Sequence, residues 1–223
     1  MENYEKETIA AIATALSDSG IGIVRISGEN AIYIVDSIFR SASGKKILTK
    51  VQSHMIHYGY IVDKDENIID EVMTSVMKAP KSYTMEDTVE INCHGGVLVM
   101  QKVLETVLQA GARLAEPGEF TKRAFLNGRI DLSRAEAVID VIHSQNEYAL
   151  SSSVSQLKGR LSDKIRSLRE DILYQIAFIE SALDDPEHIS LEGYPEQLVE
   201  KVTGFEKEIQ KLLATADNGR LMK

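Results

Sequence analysis

The hydrophobic period of the chain changes near Pro117, and this change constrains the fold more than any other feature of the sequence. Residues 8–116 alternate segments of two-residue period with segments of helical spacing, whereas the rest of the chain has helical spacing alone. Strands and helices mixed in one segment indicate an α+β domain. A chain of 223 residues has room for that domain and for a second, helical one.

The N-terminal part is predicted to form a mixed β-sheet with helices. The strand patterns cover residues 8–14, 20–27, 54–62, 71–79 and 87–94. The helical patterns cover residues 31–39, with Ser27 as a candidate N-cap, and residues 95–111.

Two apolar stripes dominate the C-terminal part. One runs from Leu150 to Leu183 at spacings of three and four, which predicts a single long helix. The other runs from Leu198 to Ala216. Each stripe needs a partner, so an all-α helical bundle with the stripes as its core is the predicted second domain.

Residues 118–137 predict a helix, a glycine stop, a short polar elbow and a new helix. Pro117 suits the first helical turn, and Gly128 suits the left-handed position that ends a helix. Ser133 and Glu136 have the spacing of a capping box. Arg129 lies between these signals with no apolar role, which makes the elbow a candidate site, although connectors of this kind are more often structural.

Arg25 and Glu90 stand out within the predicted strands. Apolar residues flank Arg25 at both parities of its strand, which indicates burial on both sides or an edge position with the guanidinium in water. The functional alternative is a fixed fork for a carboxylate or another anionic acceptor. Glu90 shares the polar face of its strand, opposite Val89 and Ile91. The polar face is either a solvated surface or a cleft, and a carboxylate there could accept two parallel hydrogen bonds from a pteridine or purine edge.

Other charged and metal-binding residue types give weaker signals. The basic residues Lys122, Arg123, Arg129 and Arg134 could contact a phosphate or a glutamate tail, or form a solvated helix face. No group has metal-ligand spacing, no residue pair looks like a self-sufficient nucleophile and base, and we therefore predict neither a metal site nor catalytic residues in this chain.

Composition limits the compartment and the partners. A net charge of −9 argues against a chain that holds nucleic acid mainly through phosphates. A single cysteine excludes an internal disulfide, and no apolar run approaches the roughly 20 residues that span a bilayer. We expect a soluble, cytoplasmic protein without a membrane segment.

Three blocks of the sequence resemble the MnmE (TrmE) family of tRNA-modification GTPases. They are GIGIVRISG at residues 20–28, SYTMEDTVEINCHGG at residues 82–96 and GEFTKRAFLNGRIDLSRAEA at residues 118–137. The blocks occur in family order, and the resemblance covers essentially the whole chain.

The resemblance implies a tetrahydrofolate-binding and dimerisation domain at residues 1–118, similar in fold to the folate domains of aminomethyltransferases. Residues 119–223 would be the first part of the helical domain. The positions that match the family's folate contacts are Arg25, Glu90 and Arg129, although the family often has lysine at the last. The implied cofactor is 5-formyltetrahydrofolate or methylenetetrahydrofolate.

The resemblance further implies a role in modifying carbon 5 of the tRNA wobble uridine with a carboxymethylaminomethyl-type group. The implied partners are a second copy of the chain, the FAD-dependent protein MnmG, and tRNA. The family's GTPase domain, with its GTP, Mg²⁺ and K⁺, would be inserted near residues 218–223. Because no G-x-x-x-x-G-K-[ST] loop occurs in the chain, we expect a fragment that does not hydrolyse GTP alone.

Two other functions remain open from the sequence. One is a stand-alone folate enzyme of the aminomethyltransferase type, against which the helical second half counts. The other is a helical interaction scaffold without a ligand.

Overall fold

The chain folds into two compact units, Met1–Ile130 and Asp131–Lys223. The structure is a computed structural model that describes residues 7–221, with the side chains of residues 7–214. The two compact units meet after Ile130, and the domain boundary between residues 118 and 119 stays a prediction. None of the helices described is long and apolar enough to cross a membrane.

The first unit is a seven-stranded mixed sheet with helices, which confirms the predicted α+β class. Its strands are β1 (Ile9–Ile12), β2 (Ser19–Ser27), β3 (Phe39–Ser41), β4 (Met55–Val62), β5 (Ile68–Met77), β6 (Thr88–Gly95) and β7 (Arg113–Leu114). Its helices are α1 (Ala31–Ile38), α2 (Val97–Gln109) and α3 (Glu119–Leu126), with a short 3₁₀ helix at Leu48–Lys50. The strand order is β3-β4-β5-β6-β2-β1-β7, with only the β1–β7 pair parallel.

The hydrophobic core lies on one face of this sheet, under α1 and α2. Val24 pairs with Ile91 across β2 and β6, and both are fully buried there beside Met100 of α2. Because strand side chains alternate between faces, the residues between them project from the opposite face. That second face is less covered, and it carries Arg25 and Glu90.

The predicted cap of α1 is wrong. The N-cap residue is Asn30, and no side chain caps the helix. Ser27 is still paired within the sheet, and its hydroxyl lies 2.6 Å from that of Thr84 and donates to Glu86 at 2.7 Å. The sheet therefore continues to a residue that local sequence assigned to the helix start.

The second unit is all-helical, as predicted. Its helices are α4 (Leu132–His143), α5 (Glu147–Leu157), α6 (Arg160–Asp184) and α7 (Tyr194–Leu221). The prediction of one helix under the first stripe is wrong, because Gly159 adopts a left-handed conformation with φ of 84° between α5 and α6. A φ of this sign is a conformation that glycine adopts without steric cost and that other residues rarely adopt.

Much of the first stripe remains exposed in this unit. Leu168 is buried, whereas Ile165, Ile172 and Ile176 are exposed. The predicted role of the stripes as a buried core therefore holds only in part within the described chain. The last residue of the second stripe, Ala216, lies outside the described side chains, as do residues 218–223.

Two of the three predicted helix signals around the elbow are corrected by the structure. Gly128 has φ of 77° after α3, as predicted. Pro117 lies outside α3, because Gly118 is the N-cap. The cap of α4 is Asp131 rather than Ser133, since the Asp131 carboxylate accepts the Arg134 N–H at 2.9 Å. Burial opposes ionisation of Asp131, but bonds from Ser162, Ser133 and Arg134 lower its pKa to about 2.

Candidate functional site

Arg25 and Glu90 lie directly opposite each other on β2 and β6. The Arg25 Nε donates to Glu90 Oε1 at 2.8 Å, and Nη2 lies 2.7 Å from the same oxygen. Their side chains are 29% and 22% exposed. Burial on both sides and an edge position are both wrong, because β2 is an interior strand whose second face leaves the guanidinium partly exposed. The expectation of a fixed fork for a carboxylate is confirmed, with Glu90 as the partner.

Arg129 reaches the same region from the elbow after α3. Its guanidinium carbon lies 4.9 Å from the centre of the Tyr83 ring, and Nη1 donates to the Tyr83 carbonyl at 3.1 Å. The Arg25 guanidinium lies 5.7 Å from the same ring. Tyr83 thus lies within cation–π distance of both arginines, and the structure brings the three predicted residues into one neighbourhood.

Two aromatic residues of this neighbourhood were not predicted as site residues. Tyr83 comes from the loop between β5 and β6, and Phe120 of α3 lies 5.7 Å from the Arg25 guanidinium. The available signal was Tyr83 itself, an aromatic side chain in a polar segment with no apolar periodicity around it. Phe120 gave no such signal, because an aromatic residue on an amphipathic helix is ordinarily a packing residue.

A buried charge network fixes the loop and α3 to each other. The Arg123 side chain is 6% exposed and donates to both carboxylate oxygens of Glu86, at 3.1 and 3.2 Å. It also donates to the Glu7 carbonyl at 2.8 Å and to Glu119 Oε1 at 3.1 Å. Arg113 completes the network with two bonds to Glu119, at 2.7 and 3.1 Å.

The predicted basic surface of Lys122, Arg123, Arg129 and Arg134 does not exist as one cluster. The Arg123 guanidinium already donates to the partners of the buried network. Arg134 belongs to the second unit, where it donates to the Lys158 carbonyl at 3.2 Å. Arg129 pairs with no carboxylate among the described side chains, so its charge remains available to a ligand.

Glu119 is held strongly in its charged form. Burial alone would raise its pKa, but hydrogen bonds from Arg113, the Glu116 N–H and Arg123 outweigh this effect and lower the pKa to about 2. The position of α3, and with it the elbow that carries Arg129, therefore depends on an ionised Glu119.

We predict that this carboxylate makes the stability of the protein pH-dependent. A group with a lowered folded-state pKa contributes stability that is present above its unfolded pKa, near 4.5, and is lost as pH falls towards 2. Denaturant unfolding between pH 6 and 2 should therefore show a steeper decline for the wild type than for Glu119→Gln. The two curves should approach each other at the acid end, and parallel curves would contradict the assignment.

The candidate site lies on an accessible surface of the first unit. One cavity of about 330 Å³ lies beside β7, lined by Thr8, Asn30 and Arg113 among others. Another of about 210 Å³ lies on the open face of the sheet, next to Tyr58 and His94. Arg25, Glu90 and Arg129 line neither of these two cavities, and their side chains are at least partly exposed to solvent.

Cys93 and His94, next to the candidate site on β6, give little support for nucleophilic catalysis. Burial raises the pKa of the Cys93 thiol to about 11, and its sulfur faces the Gly22 carbonyl at 3.4 Å. His94 points to the other face, where its Nδ1 lies 2.7 Å from Asp70, a hydrogen bond that raises the His94 pKa. The described residues contain no cluster of three or more metal-ligating side chains.

The residues present fit a folate chemically. Arg25 uses only Oε1 of Glu90, and no described side chain donates to Oε2, which leaves a carboxylate oxygen for ring N–H donors. Arg129 offers a guanidinium without a carboxylate partner, which suits an acidic tail.

Comparison with known proteins gives matches along the whole chain. A family profile described as the GTP-binding protein TrmE N-terminus matches residues 8–129, and one described as the MnmE helical domain matches residues 132–223. The chain is 61% identical over 217 residues to a tRNA modification GTPase MnmE of Lachnoclostridium phytofermentans, covering 97% of this chain and 47% of that protein.

Similar values are found for two further proteins of the same name. The protein of Geobacillus thermodenitrificans is 53% identical over 221 residues, covering 98% of this chain and 48% of the relative. The protein of Bacillus subtilis is 50% identical over 219 residues, with 97% and 48% covered. The chain thus spans about half the length of the curated relatives it matches.

Proposed function

The chain belongs to the MnmE (TrmE) family, whose N-terminal and helical domains it contains, and we propose that its first unit binds a one-carbon tetrahydrofolate. The ligand is 5-formyltetrahydrofolate or methylenetetrahydrofolate. The observation that carries this proposal is the convergence of Arg25, Glu90 and Arg129 around Tyr83, from three segments far apart in the sequence.

Each residue has a role that its surroundings support. Glu90 accepts hydrogen bonds from the pterin ring, because one of its oxygens is held by Arg25 and the other is left outward. Arg25 orients Glu90 and offers its remaining N–H groups to the ring oxygens. Arg129 binds the acidic tail, since its side chain is exposed and forms no ion pair with a described residue.

The first unit also forms a homodimer in this proposal, with the open face of the sheet at the interface. Ile21, Ile56, Tyr58 and Met73 are 48–64% exposed, and by strand register they share that face with Arg25 and Glu90. Apolar residues grouped on one surface indicate association. A second copy there would also shield a ligand that the open site leaves in solvent.

Light scattering measures the proposed dimer directly. The chain should have twice its 24.8 kDa mass at micromolar concentration. A clean monomer under these conditions would contradict the proposal.

In the longer protein, the folate supplies the one-carbon unit for modification of carbon 5 of the tRNA wobble uridine. This proposal extends to a cytoplasmic location of the protein, to the FAD-dependent partner MnmG, which shares the chemistry, and to a GTPase domain with GTP, Mg²⁺ and K⁺. It is supported by the name of the relatives, tRNA modification GTPase MnmE, and by the coverage of both family profiles.

Calorimetry with 5-formyltetrahydrofolate tests the binding function on this chain. We expect saturable binding, because the carboxylate, the free guanidinium and the aromatic rings are all contained in it. Titration with free glutamate, which has the tail's carboxylates but no ring system, is the control and should give much weaker binding. Absence of heat with the folate would favour the helical scaffold instead.

A further inference from the structure

Two guanidinium groups of the same charge approach one aromatic ring in the candidate site. Arg25 and Arg129 lie 5.7 and 4.9 Å from the centre of the Tyr83 ring. Two positive charges beside one ring repel each other. Glu90 compensates Arg25 through bonds of 2.7–2.8 Å, whereas no carboxylate among the described side chains compensates Arg129.

The contacts that hold Arg129 in place come from Tyr83. The ring attracts the guanidinium through its face, and the Tyr83 carbonyl accepts a bond from Nη1 at 3.1 Å. Backbone pairing cannot provide this placement, because Arg129 follows α3 and belongs to no strand. Arg25, in contrast, is fixed by the register of β2 with β6.

Tyr83 is itself held by α3 and by its own loop. Its hydroxyl shares a hydrogen bond of 3.0 Å with Thr121 on the first turn of the helix. The adjoining Thr84 carbonyl accepts a bond of 2.7 Å from Asn127 Nδ2. The ring therefore has a fixed position relative to both the helix and the sheet before any ligand arrives.

We propose that Tyr83 is the positioning residue of the folate site, which holds Arg129 beside Arg25 at one ring so that both act on the same ligand. The inference rests on the proposed folate function and adds a specific residue to it. Tyr83 acts through the two arginines, and the tyrosine ring, rather than its hydroxyl, is the part that matters for the ligand.

The test compares three variants with the wild type. Tyr83→Leu removes the ring, Tyr83→Phe keeps the ring and loses only the hydroxyl bond to Thr121, and Tyr33→Leu is the matched control at an exposed tyrosine on α1. The first readout, taken without ligand, is the ¹H–¹⁵N spectrum of the arginine Nε–H groups, with Arg25 and Arg129 assigned from their lysine variants. The second readout is calorimetry with 5-formyltetrahydrofolate.

Tyr83→Leu should shift the signals of both arginines, because the ring current is lost, and weaken folate binding about tenfold, or about 1.4 kcal/mol. Tyr83→Phe should keep both signals near their wild-type positions and bind within about threefold of the wild type. Tyr33→Leu should change neither. A residue with only a structural role would change the melting temperature of Tyr83→Leu without this selective effect on two arginines and its rescue by phenylalanine.

Two results overturn the proposal: unchanged Arg25 and Arg129 signals in Tyr83→Leu, or shifted signals with wild-type folate affinity. If Tyr83→Leu does not fold, the test uses nuclear Overhauser contacts between the Tyr83 ring and both arginine side chains in the wild type. Absence of these contacts overturns the proposal. If the wild type binds no folate, the proposed function fails, while the spectra still establish whether Tyr83 holds the arginines.

Discussion

Replacing Arg123 by methionine is expected to lower the free energy of unfolding by about 3–5 kcal/mol, the usual effect of removing one partner from a buried ion pair. The guanidinium is 6% exposed and bonds to Glu86, Glu119 and the Glu7 carbonyl. Methionine fills much of the space but offers no donor, so the two carboxylates lose part of their compensation. Denaturant unfolding at neutral pH gives the value.

Lys122→Met is the matched control for this change. Lys122 is the preceding residue of the same helix, and its side chain is exposed. Substitutions at such surface positions usually stay within about 0.5 kcal/mol. Equal effects of the two variants would mean that the Arg123 network contributes nothing specific to the fold.

Substitutions at two neighbouring residues of β6, Ile91 and Glu90, are expected to have opposite effects on stability and on folate binding. Ile91→Ala should cost roughly 2–5 kcal/mol of stability, because Ile91 is fully buried under α1 and α2 and its truncation leaves a cavity. Glu90→Ala should leave the fold intact, since its pair with Arg25 is partly exposed and such pairs contribute about 1 kcal/mol or less.

The two variants should have the reverse effects on folate binding, which Glu90→Ala should weaken and Ile91→Ala should leave nearly unchanged. Charge-assisted hydrogen bonds contribute roughly 1.5–3 kcal/mol each, so Glu90→Ala should weaken 5-formyltetrahydrofolate binding by about tenfold to a hundredfold. Ile91→Ala, measured where it is still folded, should bind within a few-fold of the wild type. Calorimetry together with denaturant unfolding checks both residues. Unfolding of Glu90→Ala, or wild-type affinity in that variant, would show that the site is assigned wrongly.

The features that depend on local periodicity were predictable from the sequence. The alternation along β6 was sufficient to place Ile91 in the core and Glu90 on the open face, because the two faces of a strand are set by a two-residue period. Likewise, Gly128 was identified as a helix stop because its left-handed conformation is one that glycine adopts without steric cost.

Local pattern was misleading at two positions. The apolar stripe runs without interruption past Gly159, yet the helix breaks there at a glycine with positive φ, as it does at Gly128. Ser27 has the chemistry of a helix cap, but bonds to Thr84 and Glu86 keep it in the sheet. For Ser27, partners distant in sequence decided the conformation.

The candidate site, likewise, was predictable from the sequence only in part. Residue chemistry and family resemblance identified Arg25, Glu90 and Arg129 as the residues to examine, but neither predicted their mutual contacts. Arg25 and Glu90 are 65 positions apart, and they meet because β2 and β6 pair in one particular register. Arg129 joins them through Tyr83, whose loop is held by the buried pair of Arg123 and Glu86. Strand register and loop anchoring arise from long-range pairing and packing of the whole unit, and a one-residue slip would move Arg25 to the other face of the sheet. Neither could therefore be predicted from the local sequence.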